Sequence, residues 1–87
     1  MTQAATSWQE IDGALVTTID APSFACARRC VEAIADVAEL MDHHPDIVWS
    51  YRHLEVRCFT HTTASVTELD HRLVAAIDVA LEPLLAR

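Results

Sequence analysis

Ionisable side chains are concentrated where the sequence reads ELMDHHP, over residues 39–45, and a further histidine, His61, follows later in the chain. Imidazoles titrate near neutral pH, so histidines that converge can pass protons to and from a bound ligand. Neighbouring carboxylates would hold a ring in one tautomer and raise its basicity. Glu39 and His43 are four residues apart, which predicts that they face each other in the last turn of a helix. The pattern therefore favours proton-transfer chemistry.

The helix that carries this cluster is predicted to begin after Pro22 and to end around residues 42–44. Pro45 cannot continue a helix, and the residue before a proline is biased away from helical geometry. Upstream of that end, apolar residues recur at intervals of three and four, which aligns them on one face. This predicted stripe comprises Phe24, Ala27, Val31, Ile34, Ala38 and Met41.

Two hairpins and a second helix complete the predicted elements. Residues 8–11 and 14–19 favour strands joined by an Asp12-Gly13 turn, because β-branched residues flank a strong turn signal. Residues 47–51 and 54–60 favour two further strands, joined at Arg52-His53. Thr67 is predicted to cap the second helix, with Asp70 completing a capping-box-like pair and complementing the helix dipole. The apolar stripe of that helix comprises Leu69, Leu73, Ala76, Ile77, Ala80, Leu81 and Leu84.

This order predicts an α+β fold with two layers, in which a four-stranded antiparallel sheet carries both helices on one face (β-β-α-β-β-α). Residues 1–87 are expected to form a single domain, with residues 1–7 frayed. If the strand before His61 is central in the sheet, its end can return beside His43 and His44. The other face of the sheet is left for solvent or for a partner subunit.

Composition and charge exclude several function classes. Six basic residues against thirteen acidic ones, with no lysine, give a net charge of −7, which disfavours nucleic acid and anionic membranes as partners. No apolar run is long enough to span a bilayer and no signal peptide is evident, so a cytoplasmic location is expected. The three cysteines are expected to be small buried hydrophobes. A hydrophobic share of 52% in so short a chain predicts a homodimer or homotetramer.

The spacing of these residues resembles the signature of the pterin-4a-carbinolamine dehydratases. Five anchors carry the resemblance: Glu39, His43-His44-Pro45, Tyr51, His61 and Asp70. The similarity covers most of the chain, from about residue 8 to residue 77. Phe24 corresponds to the aromatic residue that opens the family's first helix, and Thr60-His61 is similar to its T-H pair. In place of the family's glycine-containing stretch after T-H the chain has Thr62-Thr63-Ala64-Ser65, so a different loop path is expected.

The resemblance implies dehydration of a 4a-hydroxytetrahydropterin to a quinonoid dihydropterin, in the recycling of the pterin used by an aromatic amino-acid hydroxylase. It implies that His43 and His44 act as acids on the hydroxyl group and that His61 acts as the base. Glu39 and Asp42 would orient and tune the histidines. The pterin would contact Pro45, Phe59, Thr60 and Thr62. Neither a metal nor a cofactor is implied, because this reaction needs only positioned proton transfer.

Other interpretations of the same residues exist. Histidines at a helix C-terminus are also favoured simply by the helix dipole. A metal site built from His43, His44, His61 and Asp42 is disfavoured, because adjacent histidines generally point apart and no H-x-x-x-H or C-x-x-C pair is present. Tyr51 is more often a core or interface aromatic than a ligand platform. A different class of function is a non-catalytic binding or assembly protein on the same scaffold, which would stabilise a larger partner.

Overall fold

A computed structural model describes residues 6–85 of the chain. Four strands and two helices follow one another in the predicted order, β-β-α-β-β-α. They are β1 (Gln9–Ile11), β2 (Ala14–Asp20), α1 (Phe24–Met41), β3 (Asp46–Ser50), β4 (His53–Cys58) and α2 (Glu68–Leu85).

The four strands form one antiparallel sheet in the order β1-β2-β4-β3. The two hairpins meet where β2 pairs with β4, in a register that places Leu15 opposite Cys58 and Ile19 opposite Leu54. Side chains alternate between the two faces of a strand, so this register collects apolar residues on one side of the sheet. β4 is therefore central, as the predicted return of His61 requires.

Both helices cover that apolar side, which confirms the predicted α+β architecture. The largest fully buried side chains come from α1, β4 and α2, and include Ile34, Val56 and Ile77. The first turn of each helix departs from the prediction, because Phe24 and Leu69 lie on the apolar stripes yet are exposed. Phe24 stacks on an aromatic ring of β3 instead. Within residues 6–85, neither helix combines the length and apolarity needed to cross a membrane.

Two tight turns use residues in the left-handed region of the backbone. Asp12 and Gly13 have φ values of 50° and 77°, which is typical of the two-residue hairpin turn predicted there. The second hairpin turns at Tyr51-Arg52, one residue earlier than predicted, and His53 already belongs to β4. The reason is that Tyr51 adopts a φ of 53° and reverses the chain before Arg52.

The three cysteines are free and buried in the core, as expected. Burial raises the pKa of the Cys30 thiol to about 11, with a further contribution from Cys26. Burial, together with the charges of Asp70 and Asp78, raises the pKa of the Cys58 thiol to about 12. The reactive thiolate is therefore disfavoured, and these side chains serve as core packing.

The amino-terminal residues that the structure describes are held against the fold. Thr6 is buried, and its hydroxyl and the Trp8 indole both donate to Asp78 of α2. The Ser7 carbonyl accepts a hydrogen bond of 2.7 Å from Thr17. The fraying predicted for residues 1–7 thus does not describe Thr6 and Ser7, and residues 1–5 lie outside the described part of the chain.

Ile34 provides a test of the core. We expect Ile34→Ala to lower the free energy of unfolding by about 2–5 kcal/mol, because a fully buried side chain leaves a cavity between α1 and the sheet. Leu40→Ala on the same helix is the matched control, since Leu40 is 88% exposed and its loss should cost within about 0.5 kcal/mol. Urea denaturation measures both. Equal losses would contradict the assigned core.

Candidate active site

The end of α1 sends the two adjacent histidines in different directions. Asp42 takes up a left-handed conformation, with φ 52° and ψ 43°. Its N–H donates to the backbone carbonyl of Glu39, and the N–H of His43 donates to the Ala38 carbonyl at 3.1 Å. This pair of bonds is a Schellman ending, in which an Asp side chain tolerates the left-handed position better than most. The backbone of Asp42 thus turns the chain so that His43 faces inward and His44 faces solvent.

His43 is mostly buried and is bonded to a carboxylate from the other helix. Its Nε2 lies 2.7 Å from Oδ1 of Asp70, a side chain with no exposed surface. An ionised carboxylate can only accept hydrogen bonds, so the Nε2 atom must carry the proton. Nδ1 is then the ring nitrogen that remains available to a ligand.

Asp70 is bonded through both of its oxygens. Oδ2 accepts hydrogen bonds from the Thr60 hydroxyl at 2.8 Å and from the Thr67 N–H at 2.9 Å. The Thr67 hydroxyl in turn accepts from the N–H of Leu69, which completes the predicted cap of α2. Burial alone would raise the pKa of Asp70, but the hydrogen bonds from His43, Thr67 and Thr60 outweigh it and hold that pKa below its ordinary value of 3.8. The carboxylate therefore stays ionised beneath His43.

His44 makes the equivalent pair at the surface. Its Nε2 lies 2.7 Å from Oε2 of Glu39, and both side chains are more than half exposed. The predicted pairing of Glu39 with His43 is therefore wrong, because the turn at Asp42 brings His44 back over the helix end. As in His43, a carboxylate fixes the proton on Nε2.

His61 follows the last residues of β4 and is exposed. Its ring packs against Phe59, with ring centroids 4.4 Å apart. The loop that holds it is closed by Thr60 and Ser65, which form an isolated antiparallel bridge. Within this glycine-free loop, Ala64 adopts a φ of 52°, a conformation that usually favours glycine. An alanine thus occupies the strained position of the turn beside the site.

A cleft of about 370 Å³ lies between the end of α1 and the end of β4. All three predicted catalytic histidines line it. The complete set of lining residues is Asp42, His43, His44, Thr60, His61, Thr62 and Leu69. Among the predicted residues, Glu39, Pro45 and Phe59 do not line the cleft; Glu39 and Phe59 support it from behind by contacting His44 and His61.

The sequence does not assign to the site two residues that form or support the cleft. The sequence predicts Asp70 as the partner of the Thr67 cap and as a favourable charge in the first turn of α2, whereas it also binds His43. Its spacing after His61 in the family signature was the signal that could have indicated this role. Leu69 was assigned to the core stripe, but it forms an exposed apolar wall of the cleft.

Metal ligation does not describe this arrangement. Among residues 6–85, no group of three or more His, Cys, Asp or Glu side chains is placed to hold a metal ion. His43 and His44 each direct Nε2 at a different carboxylate.

The ionised state of Asp70 makes stability depend on pH. Its pKa is lowered in the folded state, so its contribution is fully present above the ordinary carboxyl value of 3.8 and is lost as the pH falls through the folded value. We expect Asp70→Asn to cost about 2 kcal/mol at neutral pH and to flatten the decline in stability on acidification. The exposed carboxylate variant Asp36→Asn should follow the parent protein. Urea denaturation between pH 2 and pH 7 (roughly the range in which carboxyl groups titrate) measures this, and parallel curves for Asp70→Asn and the parent would contradict it.

Comparisons with known proteins identify the family of the chain. The family model described as pterin 4 alpha carbinolamine dehydratase matches residues 1–80. A relative from Mycobacterium sp. (strain KMS) is 35% identical over 75 residues, covering 86% of this chain and 80% of its own. Another, from Herpetosiphon aurantiacus, is 37% identical over 71 residues, covering 82% and 74%. Both carry the provisional name pterin-4-alpha-carbinolamine dehydratase.

Solved structures share the fold. A transcriptional coactivator/pterin dehydratase from Brucella melitensis superposes with a TM-score of 0.79 at 29% identity, over 84% of this chain and 80% of that one. A pterin dehydratase-like RuBisCO assembly factor of the alpha-carboxysome superposes with a TM-score of 0.69 at 19% identity, over 87% of this chain and 88% of that one. At this identity the likeness shows only that the two proteins share a fold. With the family model matched over nearly all of its length, the chain belongs to the pterin-4a-carbinolamine dehydratase family.

Proposed function

We propose that the protein dehydrates 4a-hydroxytetrahydropterin to quinonoid dihydropterin. In this reaction a proton is delivered to the 4a-hydroxyl group, the C4a–O bond breaks and water leaves. The neighbouring ring nitrogen N5 loses its proton, and a C4a=N5 double bond forms. No electron is gained or lost overall, so positioned acids and bases are sufficient.

The observation that carries this proposal is the meeting of three histidines around one cleft. They come from two distant places in the chain, the end of α1 and the loop after β4. Two of them, His43 and His44, have Nε2 occupied by a carboxylate, which leaves Nδ1 of each ring free to bond a ligand. The end of α1 and the loop after β4 are thus proposed to offer separate proton donors and acceptors, as a dehydration requires.

In the proposed mechanism His43 and His44 protonate the departing hydroxyl group, and His61 takes the proton from N5. Asp70 and Glu39 act as positioning residues, because each holds one imidazole in a single tautomer. Asp42, predicted to tune the histidines, supports the site through its backbone conformation. It also lines the cleft.

The substrate would lie against the polar and apolar walls of the same cleft. Thr60 and Thr62 line it and are proposed to contact the pterin, while Leu69 offers an apolar edge. Phe59 is proposed to act through its contact with the His61 ring. Pro45 contributes by ending α1, because a proline cannot extend the helix.

Removal of single histidines tests the proposed roles. We expect His44→Ala and His61→Ala each to lower the rate of 4a-hydroxytetrahydropterin dehydration by about 10²–10⁴-fold, the usual contribution of an acid or base. Both side chains are exposed, so the variants should keep the circular dichroism spectrum and unfolding midpoint of the parent. His71→Ala is the matched control, since His71 is exposed on α2 and does not line the cleft.

Two results would contradict the proposal. Parent-like rates in both His44→Ala and His61→Ala would exclude the histidine mechanism. A parent protein that gives no acceleration over the spontaneous reaction would favour the alternative, a non-catalytic binding or assembly protein. The dehydration assay, applied to the parent protein and to the two variants, distinguishes these two results.

We further propose a cytoplasmic homodimer or homotetramer in a pathway served by an aromatic amino-acid hydroxylase. The support for self-association is the exposure of large apolar side chains on both layers, including Leu40, Val48 and Val79. Light scattering after size-exclusion chromatography should therefore give two or four times the 9.6 kDa mass of the chain. A monomer at micromolar concentration would contradict this expectation.

A further inference from the structure

Three aromatic rings form an exposed stack far from the histidine cleft. Phe24 lies against Trp49, with ring centroids 5.1 Å apart, and against Tyr51, with centroids 6.3 Å apart. The rings are nearly parallel, at interplanar angles of 21° and 17°. Their residues are 49%, 38% and 67% exposed, respectively. The chain has two Trp, one Tyr and two Phe, so most of its aromatic surface is placed here.

The stack is held in place by the backbone. Phe24 begins α1, directly after the N-cap Ser23. The Trp49 indole N–H donates to the Tyr51 carbonyl at 2.7 Å, which fixes the Trp49 ring beside the hairpin turn. A preformed aromatic surface loses little conformational entropy when a partner binds. We call this surface, made of Phe24, Trp49 and Tyr51, the aromatic ledge.

Three arginines lie near the ledge on a chain that is acidic as a whole. Arg28 and Arg29 share a shallow groove of about 330 Å³ with Phe24, and Glu32 is the one acidic residue that lines it. The Arg52 guanidinium donates to the Ala21 carbonyl, three residues before Phe24. These are three of only six basic residues in a chain of net charge −7. The ledge is therefore a local exception in charge as well as in hydrophobicity.

The arginines can exchange their present contacts for those of a partner. Arg28 pairs with Glu32 at 3.5 Å, but both side chains are more than 60% exposed, and such pairs contribute little in water. Among residues 6–85, no carboxylate lies within 4.0 Å of the Arg29 guanidinium. Arg52 uses one guanidinium nitrogen for Ala21, which leaves further donors on the same group.

The ledge is separate from the cleft. It lies at the start of α1, whereas His43 and His44 follow the end of that helix, and 18 residues span about 27 Å. None of the ledge residues lines the cleft. Binding at one place can therefore be changed by substitution without touching the other.

We propose that the aromatic ledge and its arginines dock an acidic polypeptide segment of another protein. Exposed aromatic and arginine side chains are the composition that dominates binding energy at protein interfaces. Carboxylates of the segment would meet Arg28, Arg29 and Arg52, and an apolar side chain between them would lie on the rings. Nucleic acid is disfavoured as the partner, because a long polyanion would extend beyond the ledge and be repelled by the rest of this acidic chain.

A labelled peptide tests the proposal on the full-length protein. The probe is a fluorescein-labelled peptide of alternating aspartate, glutamate and leucine, followed by fluorescence anisotropy. We expect saturable binding that weakens as salt is added, and no binding of a lysine-leucine peptide of equal length. Trp49→Ala and Arg28→Glu should each weaken binding by about tenfold or more, with the dehydration rate unchanged.

Arg72→Glu is the matched control for Arg28→Glu. Arg72 has the same exposure and pairs with Glu68 four residues away at 3.6 Å, but it lies on α2. Equal loss of binding in the two variants would show general charge attraction and would overturn the proposal. So would the absence of peptide binding by a correctly folded parent protein. A fall in oligomeric mass in Trp49→Ala would assign the ledge to a second copy of this chain and would also overturn it.

Discussion

One carboxylate, that of Asp70, joins the fold to the candidate site. One of its oxygens holds His43, and the other accepts hydrogen bonds from Thr60 and from the first turn of α2. Three segments that are distant in sequence, the end of α1, the end of β4 and the start of α2, are therefore tied at a single buried charge. A buried carboxylate is tolerated only when its hydrogen bonds are satisfied, so all three segments must be in contact with Asp70 in the folded state.

This junction also gives the three histidines different surroundings. The inner ring, His43, is held in one orientation by a buried partner, whereas the outer rings, His44 and His61, retain contact with solvent. An acid–base site needs rigid geometry and also a route for protons to exchange with water. The cleft satisfies the first requirement through Asp70 and the second through its exposed histidines.

Local patterns in the sequence were sufficient for the elements and their order. The three-and-four spacing from Ala27 to Ala38 predicted α1, Pro45 predicted its end, and Thr67 with Asp70 predicted the start of α2. The individual side-chain partners at the site were not predictable in this way. Which of two consecutive histidines faces inward depends on the left-handed backbone at Asp42, so the partner of Glu39 was misassigned. Phe24 has the spacing of a core residue, but it stacks on Trp49 and Tyr51 and stays half exposed.

The dual bonding of Asp70 has a consequence for how such sequences change over generations. A lineage that abandoned catalysis would still be selected to keep Asp70 and His43, because losing either leaves a buried polar group unsatisfied and threatens folding. The presence of Asp70 and His43 in a descendant is therefore weak evidence that the descendant is still a catalyst. His44 and His61 face solvent, and their loss would leave no buried polar group unsatisfied. Substitutions at those two positions are therefore the first that we expect in a descendant that no longer catalyses the reaction.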